Sequence, residues 1–264
     1  MNSIEQRKKI EIEHYDRKAV KLLLSEKNAY EGFAENAYPF SLASYKFLRE
    51  YLKEKCIGKK ILDYGCGEGV NSFWLAGLGG EVIGVDLSEK ALKVAENKFA
   101  KNADRSKVKF LVQDCERLEF PENYFDIVFD GESFPSLDLN NAFAELVKVL
   151  RPDGFIIGIE TFGHNPFTNL KRQINKISKR GTSWATGHIF SLKDLNLAKK
   201  FFDEINVFYF HPFSWLAIPF AKHRSFNGFL LFLETIDKFF LKMSFFRKYS
   251  FKVVFIFSKP KKAL

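Results

Sequence analysis

Apolar and polar positions follow two rhythms along this chain, and the switches between them lay out its elements. Residues 3–25 and 39–56 carry a helical rhythm, the second with Phe40, Leu42, Tyr45, Leu48 and Leu52 at roughly helical spacing. At Ile61-Leu62 the pattern becomes that of a buried strand, which runs into three alternating glycines, Gly65, Gly67 and Gly69. Val70, Phe73, Trp74 and Leu78 then share a helical face that Gly79-Gly80 stop, and Val82-Ile83-Gly84-Val85-Asp86 is a second strand closed by an acid. Ser88 is placed to cap a helix with Leu92, Ala95 and Phe99 on one side. Residues 108–114 and 124–130 read as the third and fourth strands. Ala142, Phe143, Leu146, Val147 and Leu150 mark a helix ended by Pro152-Asp153-Gly154, and residues 155–160 form the fifth strand. Ser191-Leu192-Lys193-Asp194 fits a capping-box start, with Asp in place of Glu, for a helix reaching about Phe202. Residues 205–210 and 251–257 complete seven strands. Strands alternating with helices predict an α/β fold with a mostly parallel sheet and helices on both faces.

Two stretches break the alternation, at about 162–190 and 211–250. The first is far longer than an ordinary strand-to-helix loop, which makes it a candidate substrate cover. The second opens with the apolar run 211–220, suited to a lipophilic pocket. It continues with Phe226, Phe229, Leu230, Leu233, Ile236, Phe240 and Met243 on a broad helical face. Glu234, Asp237, Lys238 and Lys242 interrupt any run long enough to span a membrane. Phenylalanine on one face and lysine on the other, with Arg247 and Lys248 following, fits a helix lying on an anionic membrane; burial against the sheet or a neighbouring subunit is the alternative.

The glycine turn carries the chemistry. A strand, a glycine turn and a helix start expose free N–H groups at the carboxyl edge of a sheet, where α/β folds bind ligands. Asp86 falls 21 residues after Gly65, close to the ~20-residue offset at which an acid reaches ribose hydroxyls. A dinucleotide fingerprint would need glycine at position 70, which is valine, and a pyrophosphate cradle would avoid Asp63 and Glu68. Carboxylates there repel a diphosphate and suit a cation, such as an amino group or a sulfonium. A nicotinamide oxidoreductase is disfavoured on the same grounds.

The run Ile61-Leu62-Asp63-Tyr64-Gly65-Cys66-Gly67-Glu68-Gly69 resembles the first motif of the class I S-adenosylmethionine-dependent methyltransferases of small-molecule type. The resemblance continues through residues 82–88, 108–114, 124–130 and the Leu150-Arg151-Pro152-Asp153-Gly154 turn, covering roughly 59–161. It implies a Rossmann-like seven-stranded sheet whose last strand is antiparallel, with S-adenosylmethionine as cofactor. It places Asp63 and the glycines Gly65, Gly67 and Gly69 at the methionyl part, Asp86 at the ribose and Asp114 at the adenine amino group. Cys66, Leu87, Cys115 and Asp130 complete the implied cofactor set. It further implies an N-terminal helical segment, residues 1–58, capping the site as a lid, with Tyr15, Tyr30 and Tyr38 as candidates. Residues 59–264 form the methyltransferase domain, and both insertions build its substrate side. Methyl transfer needs a base only if the acceptor must lose a proton. His164, just past the fifth strand, His188, and Glu132, beside the expected methyl site, are the candidates; Phe134-Pro135 stands where many members of the family carry a histidine after the fourth strand. No Asn-Pro-Pro-Tyr-like motif of adenine or amide N-methylation follows that strand.

Composition narrows the partners. Three cysteines, Cys56, Cys66 and Cys115, have no paired spacing, which predicts a reducing compartment and no metal site. The start of the chain is too charged for a secretory signal, so a cytoplasmic location is expected, with contact to the inner face of a membrane as an option. The net charge of +9 is uneven: residues 1–150 hold 22 basic and 25 acidic side chains, residues 151–264 hold 19 and 7. A basic half attracts anionic partners: a phosphorylated substrate, a nucleic acid or an anionic membrane. The expectation is methyl transfer to a small or lipophilic acceptor, at oxygen or carbon. The alternative is an RNA or other nucleic-acid methyltransferase using the basic half, disfavoured because its charge is interleaved with phenylalanine. A cofactor-binding protein without catalysis is a further alternative.

Overall fold

Strand β1 (Lys60–Tyr64) shows how the apolar pattern becomes two layers, because successive side chains of a strand point to opposite faces. Ile61 joins Ile127, Phe129 and Ile157 on one face of the sheet, where α2 (Ala43–Leu52) and α3 (Val70–Gly77) cover them with Leu48, Leu52, Phe73 and Ala76. Leu62 joins Val128, Ile156 and Phe255 on the other face, under α5 (Leu139–Val149) and α6 (Leu192–Ala198) with Phe143, Leu146, Leu195 and Ala198. In this computed structural model residues 3–23, 39–100, 103–166, 169 and 188–262 are described. The lid candidates Tyr30 and Tyr38 lie outside them, as does most of the 162–190 insertion.

The remaining strands are β2 (Glu81–Asp86), β3 (Val108–Val112), β4 (Phe125–Gly131), β5 (Leu150–Thr161), β6 (Phe202–Phe210) and β7 (Lys252–Pro260). They form one seven-stranded sheet in the order β3-β2-β1-β4-β5-β7-β6. The pairs from β3 through β5 are parallel, and β7 runs antiparallel to both β5 and β6. This is the Rossmann-like, mostly parallel architecture expected from the alternation. Helix α4 (Glu89–Lys98) starts on Ser88, whose hydroxyl oxygen accepts the Ala91 N–H at 3.1 Å. The Asp194 carboxylate accepts the Ser191 N–H at 2.8 Å, completing the capping box that opens α6.

Some boundaries differ from the sequence reading. Helix α5 stops at Val149, and Leu150 already pairs with Phe125, so β5 starts five residues earlier than Phe155. Pro152 disfavours helical backbone at Arg151 and pulls the chain into extended structure. The expected helix over 226–246 is α7 (Phe226–Phe240) followed by a turn and the short α8 (Ser244–Arg247). Its buried side carries Phe226, Leu230 and Leu233 as expected, and also Glu234 and Asp237. Helix α1 (Ser3–Leu23) lies on α4: Ala19 packs with Ala91 and Val94, and Asp16 accepts the Ser88 hydroxyl at 2.7 Å while pairing with Lys90 at 3.1 Å.

Candidate active site

The carboxyl ends of β1, β2 and β4 open onto a cavity of about 510 Å³, an ordinary size for a small-molecule site. Two glycines of the turn after β1 have distinct reasons. At Gly65 (φ +70) a Cβ would lie 2.6 Å from Ser133 Cβ, so close packing of the β1 and β4 loops excludes any side chain. At Gly67 (φ +51) a Cβ would meet nothing within 4 Å among the described residues, and the backbone faces the open cavity. Asp86 ties the turn to the next strand: one carboxylate oxygen accepts the Gly67 N–H at 2.9 Å and the other the Ser88 N–H at 2.8 Å. Burial raises the Asp86 pKa, and those backbone N–H groups oppose the rise.

Cys66, Leu87, Asp114 and Cys115 stand in the same wall with Gly65, Gly67 and Asp86. Burial, then neighbouring carboxylates, hold both cysteine thiols well above their ordinary pKa, so they are protonated and unreactive. Asp114 accepts the Glu116 N–H at 2.9 Å and pairs with Lys8 of α1, while Arg7 pairs with Glu116. Helix α1 forms the facing wall through Arg7, Lys8, Glu11 and Tyr15.

Three residues expected at the cofactor stand behind this wall. Gly69 caps α3. Asp63, 1 % exposed, accepts the Ser72 hydroxyl at 2.5 Å on one oxygen and has no hydrogen-bond partner among the described residues on the other. Burial, then the charges of Asp130 and Asp86, push its pKa up to about 7. Asp130 accepts both the N–H and the hydroxyl of Ser133, and burial pushes it to about 7 as well. Burial and the facing Asp130 raise Glu160, at the end of β5, well above its ordinary range, so the pair holds at least one proton at neutral pH. Buried acids under a backbone turn open to the cavity favour a cationic ligand, which fits a sulfonium and disfavours a pyrophosphate.

Of the three candidate bases, the structure brings only Glu132 to the cavity, on left-handed backbone (φ +68) and paired with Lys252. His164 is exposed and its Nε2 accepts the Leu192 N–H at 3.4 Å, because the chain folds back there onto the start of α6. His188 lines a separate cavity of about 240 Å³ with Phe134 and Asp138. The sequence reading missed Glu160, Lys252 and Ser133. A lone acid closing one apolar strand and a lysine opening another were the available signals. It also missed His211, which burial holds neutral with its pKa lowered to about 3, bonded to Ser214 at 2.7 Å and Ser44 at 2.9 Å.

A mostly parallel sheet with an acid-backed glycine turn and a strand-end aspartate fits a nucleoside-bearing, cationic cofactor. Comparison with known proteins gives the family. A profile described as a methyltransferase domain matches residues 62–158. The chain is 30% identical to the demethylmenaquinone methyltransferase of Staphylococcus saprophyticus over 56% of this chain and 69% of that protein. It is 32% identical to phosphoethanolamine N-methyltransferase 3 of Arabidopsis thaliana over 47% of this chain and 25% of that one. A solved SAM-dependent methyltransferase of Methanosarcina mazei is similar with a TM-score of 0.50 and 27% identity, over 63% of this chain and 90% of that chain. The chain belongs to the class I S-adenosylmethionine-dependent methyltransferases. It spans about half or less of the length of most curated relatives it matches.

Proposed function

We propose that this chain transfers a methyl group from S-adenosylmethionine to a small or lipophilic acceptor, at oxygen or carbon. The observation that carries the reading is the open Gly67 turn backed by Asp63 and Asp130 and closed by Asp86. Bound S-adenosylmethionine supplies an electrophilic methyl group on a sulfonium whose charge is lost on transfer. Gly65, Gly67, Asp86, Leu87, Asp114 and Cys115 would hold it in the wall, and the buried acids favour its cationic form over a neutral one. Glu132, which lines the cavity with Lys252 on Oε1, is our candidate to take a proton from an acceptor hydroxyl or activated carbon. Orientation and exclusion of water supply much of the remaining acceleration.

Helix α1, within the 1–58 segment, serves as a cap, and the 211–250 insertion builds the acceptor side. A relative named for demethylmenaquinone supports a lipophilic acceptor. The protein works in the cytoplasm, at the inner face of an anionic membrane. The basic half carries its charge among exposed phenylalanines, which suits a lipid surface better than a nucleic-acid backbone. The test uses methyl-labelled S-adenosylmethionine with prenylated quinols, phenols and bulk RNA as acceptors. Label in the organic-extractable fraction is expected. Label in RNA alone, or in no product, overturns the reading.

A further inference from the structure

The segment 211–250 has its acids turned inward and five of its phenylalanines, Phe220, Phe229, Phe232, Phe239 and Phe245, turned outward. Glu234 and Asp237 are its only acids, and both are buried on α7. Glu234 accepts the Ala43 N–H at 2.8 Å, and Asp237 accepts the N–H groups of Phe213 at 2.8 Å and Ser214 at 3.2 Å. The opposite side of α7 leaves Leu231, Phe232 and Phe239 exposed at 62%, 61% and 63%. These residues do not stand singly. Phe220 meets Phe229 at 5.9 Å, Phe232 and Phe239 follow at helical spacings of three and seven, and Phe239, Phe240, Phe246 and Phe245 continue in ring contact. The result is an exposed apolar ridge of the kind that marks an interaction surface.

The lysines and arginines of the segment lie on or next in sequence to the elements that carry this ridge: Lys222, Arg224, Lys238, Lys242 and Arg247 are exposed, and Lys248 lies 4.2 Å over the Phe245 ring. Lys238, Lys242 and Arg247 also rim a groove of about 580 Å³ between α7 and β6, with Phe47, Phe208 and Leu241 in its wall. Apolar ridge and cationic rim together match one partner chemistry, an apolar layer under anionic head groups. A second copy of the chain fits poorly, because a twofold contact would set this face against itself and bring like charges together. A helix of 15 residues is too short to span, and no helix among the described residues is long and apolar enough to cross a membrane.

We propose that the α7–α8 ridge docks the protein on an anionic lipid bilayer, with Phe232 and Phe239 inserted and Lys238, Lys242 and Arg247 on the head groups. Position gives the docking a use. Strand β6 runs in the same direction as β5, so its carboxyl end, from which this segment departs, lies at the sheet edge where the cavity opens. Docking holds that edge at the membrane, and this purpose rests on the reading of a lipophilic acceptor.

The test is vesicle flotation of the full chain with phosphatidylcholine alone or mixed with phosphatidylglycerol at roughly 7:3. Binding to the mixed vesicles only, weakened by salt, is expected. Lys238→Ala with Lys242→Ala should weaken it about 30-fold, at the contribution typical of a basic residue near an anionic surface. Phe232→Ser with Phe239→Ser should weaken it on the order of tenfold or more. Both variants should keep wild-type circular dichroism and wild-type affinity for S-adenosylhomocysteine by calorimetry. Equal binding to neutral vesicles, variants that bind like wild type, or a dimer that Phe232→Ser with Phe239→Ser abolishes overturns the proposal. If calorimetry shows no cofactor binding while flotation succeeds, it is the methyltransferase reading that fails instead.

Discussion

Asp63→Asn should stabilise the protein in mildly alkaline buffer and do little in mild acid. Asp63 is buried, bonded on one oxygen by Ser72, and its pKa is pushed up from 3.8 to about 7. An acid whose folded pKa lies above its unfolded one binds more protons when folded, so its ionisation costs stability as pH rises between the two values. The cost is absent below about pH 4 and complete above about pH 7, where it reaches about 4 kcal/mol at 1.36 kcal/mol per unit. Asparagine cannot ionise, but its amide leaves a buried N–H group unpaired at a cost of about 1–3 kcal/mol. The net gain at about pH 8 is therefore about 1–3 kcal/mol, and at about pH 5, where only about 1.6 kcal/mol of the ionisation cost has accrued, the gain is near zero. Urea denaturation followed by circular dichroism at both pH values, with unchanged m, reads the difference. A stability difference that stays constant between the two pH values would refute the reasoning. The same substitution should weaken S-adenosylmethionine more than neutral S-adenosylhomocysteine, because the acid that destabilises the fold is what favours the cation.

Asp86→Ala removes an acceptor from the Gly67 and Ser88 N–H groups and a carboxylate from the cavity wall; cofactor affinity should fall about 30-fold, about 2 kcal/mol, by calorimetry. Glu132→Gln should lower turnover at least tenfold with cofactor affinity unchanged, as expected for a proton acceptor. His164→Ala, at an exposed site bonded to Leu192, should leave turnover within about twofold in the same labelled-methyl assay. Gly65→Ala would force a Cβ to within 2.6 Å of Ser133 Cβ on left-handed backbone, and denaturation should show a loss of about 2–4 kcal/mol.

The sheet was legible because each strand announces itself locally, by an apolar run and a turn, and the Ser88 and Ser191 caps sit at their expected offsets. Asp86 was legible for the same reason: its partners, Gly67 and Ser88, come from the same strand-turn-helix unit. What stayed hidden depends on distant chain segments meeting. Periodicity gave α7 a broad apolar face, with Glu234 and Asp237 as interruptions of the apolar run. In the fold Glu234 and Asp237 lie on the buried side and satisfy backbone N–H groups at Ala43, Phe213 and Ser214, while Phe229 and Met243 of the expected apolar face are exposed. His164 lies just past β5, as its place in sequence suggested, but where its side chain goes depends on a loop that returns to Leu192. The buried pair of Asp130 and Glu160 joins the ends of β4 and β5, and no local pattern forecasts that two strand-end acids face each other.

The measurement that tests the account most directly is titration calorimetry of the full chain with S-adenosylmethionine, S-adenosylhomocysteine and NAD. The two methyl-cycle ligands should each bind at one site, with Asp86→Ala weakening both, and NAD should give no heat of binding. Binding of NAD alone would contradict the acid-backed glycine turn as a sulfonium site.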